Sequence, residues 1–214
     1  MEREVMVVDD VAEAALGVFL AAAPKTVVLS GGSTPMSFYR RLAGAEYSWE
    51  GVEFFFGDER CVPVGDPMSN ARMADEALLS KVPSRSYPMD GHRCDSQSYE
   101  WILRRRFDEN LLFDVAIYGL GPDGHTASLF PGKPGVDVTD RWVIQVPEAG
   151  LEPFVPRISL TVPALSAAKL GVFLVAGADK RLPLRRLLAG EDIPAARLRP
   201  DRLIVLADRE AAES

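Results

Sequence analysis

The feature that most constrains this chain is a repeated alternation. Short runs of β-branched and apolar residues are each closed by a turn and followed by a helical pattern. The runs fall at 26–29, 52–56, 114–118, 142–146, 170–176 and 203–207. Stretches such as Val115-Ala116-Ile117 are apolar at consecutive positions, the pattern of a strand covered on both faces. Between them, residues 11–22, 35–43, 69–79, 96–109 and 180–188 carry apolar side chains at three- and four-residue spacing, as covering helices do. The alternation predicts an α/β fold: a doubly wound, mostly parallel, Rossmann-like sheet with helices on both faces.

At 214 residues and 47% hydrophobic composition, the chain is long enough for one substantial core. A single domain is expected over 1–207, with 208–214 fraying. Stretches 83–95 and 147–156 break the rhythm and read as surface connections; the second, with three prolines, suits a wall or lid beside a site. The net charge of −7 argues against a nucleic-acid footprint, although a small anion needs only a few local cations. Cys61 and Cys94 make no disulfide framework and no C-x-x-C pair, so a reducing cytoplasm is expected. The strand-like, charged start has no signal-peptide pattern, and no apolar run approaches the ~20 residues of a membrane span. Oligomeric state is not encoded in any feature of the sequence.

In open parallel sheets ligands bind beyond the carboxyl ends of the strands, so the residues after each strand carry the chemical expectations. Ser30-Gly31-Gly32-Ser33-Thr34-Pro35 reads as a phosphate cradle: Gly31 and Gly32 let backbone N–H groups approach an anion, Ser33 and Thr34 add hydroxyls, and Pro35 is expected to open the helix. An ordinary Ser/Thr cap is the bland alternative. A serine-nucleophile elbow centred on Ser33 is disfavoured, because Pro35 stands where that turn needs a small residue. Gly57-Asp58-Glu59-Arg60 offers two carboxylates and a guanidinium at a strand end, suited to orienting hydroxyls, a histidine or a phosphate, or else forming a solvated charge run. Ser69-Asn70 reads as the cap of the next helix. Arg157 and Lys180 are further candidate phosphate cations.

The richest segment is Gly119-Leu120-Gly121-Pro122-Asp123-Gly124-His125-Thr126-Ala127-Ser128-Leu129-Phe130-Pro131. A dinucleotide reading lacks the acidic residue that would hold a ribose, and a P-loop reading finds His125 where lysine is required. What remains is a histidine beside Asp123 on a glycine-rich turn. With two histidines in the chain, His125 is the candidate general base, oriented by Asp123 or Asp58. His92, in a loop among charged residues, reads as ordinary surface. Backbone N–H groups around Gly121 to Gly124, or Arg60, are the candidate oxyanion donors. No ligand spacing suggests a metal, and no cofactor is expected.

Taken together, these segments resemble the family that unites 6-phosphogluconolactonases with glucosamine-6-phosphate deaminases, over residues 5–207. The resemblance implies hydrolysis of a phosphorylated sugar lactone in the pentose phosphate pathway, with His125 as base and the Ser30–Thr34 loop in the phosphate site. The deaminase and isomerase relatives carry a Phe-Asn-Glu-Pro continuation after the histidine turn. Here Ser128-Leu129-Phe130-Pro131 puts a phenylalanine where a proton-shuttling glutamate stands, which favours hydrolysis. A sugar-phosphate sensor without turnover is the remaining alternative.

Overall fold

The structure is a computed structural model that describes residues 2–213. Met1 and Ser214, the outer ends of the expected domain and tail, lie outside the described residues. In chain order the elements are β1 (Glu2–Val8), α1 (Val11–Ala22), β2 (Thr26–Leu29), α2 (Ser33–Ala43), β3 (Glu53–Phe56), β4 (Asp58–Arg60), α3 (Asn70–Ala77) and β5 (Arg85–Ser86). They continue with α4 (Ser96–Phe107), β6 (Phe113–Gly119), β7 (Val143–Val146), β8 (Arg157–Leu160), α5 (Val162–Ser166), β9 (Ala168–Val175), α6 (Arg181–Ala189), β10 (Arg202–Asp208) and α7 (Arg209–Ala212).

Seven strands form one parallel sheet in the order β1-β10-β9-β6-β2-β3-β5. β2 and β3 are buried at every position and β10 at five successive ones, as expected of strands covered on both faces. β1, at the edge, is exposed along nearly its whole length. Asp114 pins the start of β6: its carboxylate accepts from the backbone N–H groups of Lys25 and Thr26 and from Lys169 Nζ, tying β6 to its neighbours β2 and β9.

The helices start and stop where their sequences dictate. Asp10 caps α1 by accepting from Glu13 N–H at 3.0 Å, and Asp95 caps α4 through Ser98 N–H. α6 closes on Gly190 in the left-handed conformation. A single buried cluster runs from Val11 to Ala211.

Three expectations need correction. The run at 142–146 forms a strand, but β7 lies outside the main sheet, in a three-stranded antiparallel sheet β4-β8-β7. β4 and β8 are three and four residues long and carry charged or hydroxyl side chains among their positions, which hid them from a pattern search; the chain passes from β3 to β4 through Gly57, whose N–H donates to Leu29 O and whose carbonyl accepts from Leu160 N–H. Second, the expected fraying segment 208–214 contains α7, capped by Asp208 and anchored by buried Ala211. Third, Cys61 and Cys94, 33 residues apart, are joined in a disulfide with their Cα atoms 5.0 Å apart. The loop at Gly91 packs so tightly on the Arg60 and Val62 carbonyls that the two cysteines are brought face to face.

Candidate active site

From β2 the chain moves outward through β3 to β5, then returns to place β6, β9 and β10 on the other side. The order therefore reverses between β2 and β6, and the crevice beyond their carboxyl ends is where such a sheet receives a ligand. A cavity of about 210 Å³ lies there. It is smaller than the ~300 Å³ at which drug-sized sites begin, and suits one small metabolite.

The loop after β2 supplies Ser30, Gly31 and Gly32 to the wall of the cavity. Gly31 has no room for a methyl group, which would overlap the Asn70 side chain. α2 begins at Ser33, two residues before the expected start at Pro35. Ser33 and Thr34 thus belong to the helix's first turn, where N–H groups lack intrahelical acceptors. Neither lines the cavity, and Ser33 is exposed.

The loop after β6 carries the histidine. His125 lines the cavity, and its Nδ1 lies 2.6 Å from Asp123 Oδ1, which also accepts from His125 N–H at 3.0 Å. Partial burial opposes ionisation of Asp123, but these two hydrogen bonds outweigh it and hold the carboxyl below the usual carboxylate range. An ionised carboxylate only accepts, so Nδ1 carries the proton and Nε2 is left as the basic nitrogen. Asp123, not Asp58, is the histidine's partner. The ring rests on Gly121, where a methyl would collide with it, and lies 4.7 Å from the Phe130 ring, centroid to centroid.

The expected oxyanion donors are placed differently. Gly121 N–H donates to His125 O and Gly124 N–H to Gly121 O, so both are consumed in shaping the turn. Gly121 lines the cavity and Gly124 does not.

The second sheet supplies the charged wall. β4 and β8 pair so that Arg60 stands directly opposite Arg157, and both reach the cavity. Like charges facing each other across strands are destabilising unless an anion joins them. Arg157 is buried and donates to the Val155 and Pro153 carbonyls; the 147–156 connection, expected as a wall or lid, holds this side chain, but none of its own residues lines the cavity. Burial lowers the Arg157 pKa, with the neighbouring Arg60 adding to the effect against the pull of Asp58 and Glu59. Arg60 Nη1 donates to Met68 O, and its Nε has no partner among the described residues. Lys180, on the turn after β9, completes the cationic lining.

Asp58 is buried and held from two sides: Ser128 Oγ donates to one carboxylate oxygen at 2.6 Å and Asn70 Nδ2 to the other at 3.1 Å. Sequence reasoning passed over both partners. Ser128 lies within the histidine motif, and its spacing from His125 was the available signal. Ser69 is indeed the cap of α3, accepting from Arg72 N–H, but Asn70 turns its side chain into the site. His92 is exposed and does not line the cavity. Among the described residues no group of three or more His, Cys, Asp or Glu is arranged to hold a metal ion, and no helix is long and apolar enough to cross a membrane.

Fold and site together define an α/β protein of the sugar-phosphate-enzyme class, with a histidine–aspartate pair and a cationic wall beyond a parallel sheet. The chain belongs to the glucosamine-6-phosphate isomerase/6-phosphogluconolactonase family, whose model matches residues 4–206. A 6-phosphogluconolactonase of Synechocystis is 39% identical over 205 residues, covering 88% of this chain and 84% of that protein. One from Thermotoga maritima is 38% identical over 178 residues, covering 79% and 77%. A crystal structure of 6-phosphogluconolactonase from Thermotoga maritima superposes with a TM-score of 0.89 at 28% identity, covering 97% of this chain and 100% of the other. A monomeric glucosamine-6-phosphate deaminase, at 20% identity and a TM-score of 0.84, shares the fold.

Proposed function

We propose that this chain hydrolyses 6-phospho-D-glucono-1,5-lactone to 6-phospho-D-gluconate in the oxidative pentose phosphate pathway, by general-base activation of water. The observation that carries this reading is the basic His125 Nε2, fixed by Asp123, in the same cavity as the opposed Arg60 and Arg157. A phosphorylated lactone needs both: cations for its anionic phosphate and a base to activate water against its neutral ester.

The phosphate docks against the Gly31–Gly32 turn and the start of α2 at Ser33 and Thr34, with Arg60, Arg157 and Lys180 supplying charge. His125 Nε2 takes a proton from water as the water oxygen bonds to lactone C1, and Asp123 stabilises the resulting imidazolium. As the tetrahedral intermediate collapses, the ring C–O bond breaks and the imidazolium returns its proton to the departing C5 oxygen. Asp58, held by Ser128 and Asn70, orients sugar hydroxyls. The Gly121 and Gly124 N–H groups are engaged within the turn, so they are not free to meet the developing oxyanion. Phe130 packs on the histidine where the deaminases use a glutamate, so this pocket lacks the second proton carrier of ring opening.

We propose a cytoplasmic setting for the reaction; its reducing environment would open the Cys61–Cys94 bridge. The test is proton release from freshly generated 6-phosphogluconolactone, compared with spontaneous hydrolysis. A large excess over the spontaneous rate is expected. Lactone hydrolysis at the spontaneous rate, with ammonia released from glucosamine 6-phosphate, would overturn the reading in favour of the deaminase branch. Tight 6-phosphogluconate binding without turnover would favour a sensor.

A further inference from the structure

Three parts of the site converge on Asn70, the first residue of α3. Its side chain is buried, at 2% exposure. Nδ2 donates to Asp58 O at 2.9 Å and to Asp58 Oδ1 at 3.1 Å, while Oδ1 accepts from Arg60 Nη1. The same amide lies against Gly31, where a single added methyl would overlap it. One planar group thus touches the anion turn, the buried carboxylate and the guanidinium.

The helix itself does not need this side chain. Ser69 Oγ accepts from Arg72 N–H, and the Glu59 carboxylate accepts from the N–H groups of Asn70 and Ala71, so the start of α3 is capped without it. The contacts also select asparagine over its isosteres. An aspartate would set an anion against Asp58 and lose the donor; a leucine would leave a buried carboxylate oxygen and a buried guanidinium N–H unpaired.

We propose that Asn70 is a positioning residue, a neutral amide that holds Asp58 and Arg60 in one fixed relation to the Gly31 turn so that phosphate and sugar are gripped in register. The inference rests on the lactonase reading for the roles of Asp58 and Arg60. The charged groups around the amide are Asp58, Glu59 and Arg60 on β4 and Arg157 on β8, with His125 and Lys180 across the cavity.

Two substitutions test it. Asn70→Asp keeps the shape and the acceptor toward Arg60 but places a second carboxylate about 3 Å from Asp58, and two such groups cannot both remain ionised in their ordinary range. At low pH one takes up a proton and donates to the other, as the amide does. The ratio of variant to wild-type kcat/KM, in which titration of the shared groups largely cancels, is expected to be about tenfold down near pH 8 and to recover to within about threefold near pH 5.5. Asn70→Ala is expected to raise KM and the inhibition constant of inorganic phosphate about tenfold, with kcat changed by less than about threefold. A merely structural role predicts a pH-independent ratio. That result, or unchanged KM and phosphate inhibition in a folded Asn70→Ala protein, overturns the proposal; if the alanine variant does not fold, the Asn70→Asp ratio decides. Phosphate binding by calorimetry, without lactone, separates the two readings: wild type that binds phosphate but leaves lactone untouched defeats the lactonase assignment, while the loss of affinity in Asn70→Ala still reports on positioning.

Discussion

At the residue scale the proposed mechanism turns on which nitrogen of His125 holds the proton. Asp123 decides it, and the decision is electrostatic, because its carboxyl stays ionised despite partial burial. Replacing His125 by alanine should therefore leave KM within a few-fold and lower kcat by about a hundredfold or more, since a positioned base contributes ~10² to 10⁴ in rate. Asp123→Asn permits the wrong tautomer, and steady-state kinetics should show a kcat loss of about a hundredfold or more with binding retained. The same change has a pH signature in stability. The folded value of Asp123 is depressed, so its stabilisation is fully present above the unfolded value of about 3.9 and is lost as pH falls through the folded value. The melting temperatures of wild type and Asp123→Asn should differ at neutral pH and converge as the pH falls below the depressed folded value.

At the element scale the decisive unit is β4, three residues long. Its alternating side chains divide the work: Asp58 and Arg60 face the cavity, and Glu59 points away to hold the start of α3. Glu59 is buried, which raises its pKa, while hydrogen bonds from Ala71, Asn70 and Arg60 N–H and from the Ser69 hydroxyl partly offset that rise. Because its folded value lies above its unfolded one, folding takes up a proton there, and this contribution to stability declines as pH rises through the folded value. Glu59→Gln should flatten that pH dependence. It should also cost about 1–3 kcal/mol at neutral pH by leaving a buried donor unpaired, measurable by urea unfolding. Immediately after β4, the Cys61–Cys94 bridge closes a 33-residue loop. Loop-closure entropy for that span is about 3–4 kcal/mol, so reduction should move the denaturation midpoint down by a corresponding amount; an unchanged midpoint would mean that the native packing alone sets stability here.

At the scale of the whole molecule, the site is assembled from the ends of β2, β4, β6, β8 and β9, so a ligand that bridges them stabilises the entire fold. Product at about a hundredfold over its dissociation constant should add about 2.7 kcal/mol, raising the melting temperature by roughly 5–10 °C. Absence of that shift in a thermal melt would mean that the cavity is not the product site. The sequence by itself determined the parallel core, because strands buried on both faces are apolar at consecutive positions along their central runs, and Val27, Val115 and Phe173 announce that locally. It also determined the histidine turn, whose glycines and carboxylate are contiguous in the chain. Only the tertiary structure decided the antiparallel second sheet, the opposition of Arg60 to Arg157, the Cys61–Cys94 pairing and the role of Asn70. Those contacts join residues that lie far apart or in short polar segments with no periodicity of their own. Their geometry is set by where Gly57 sends the chain once β3 ends, which no local pattern records.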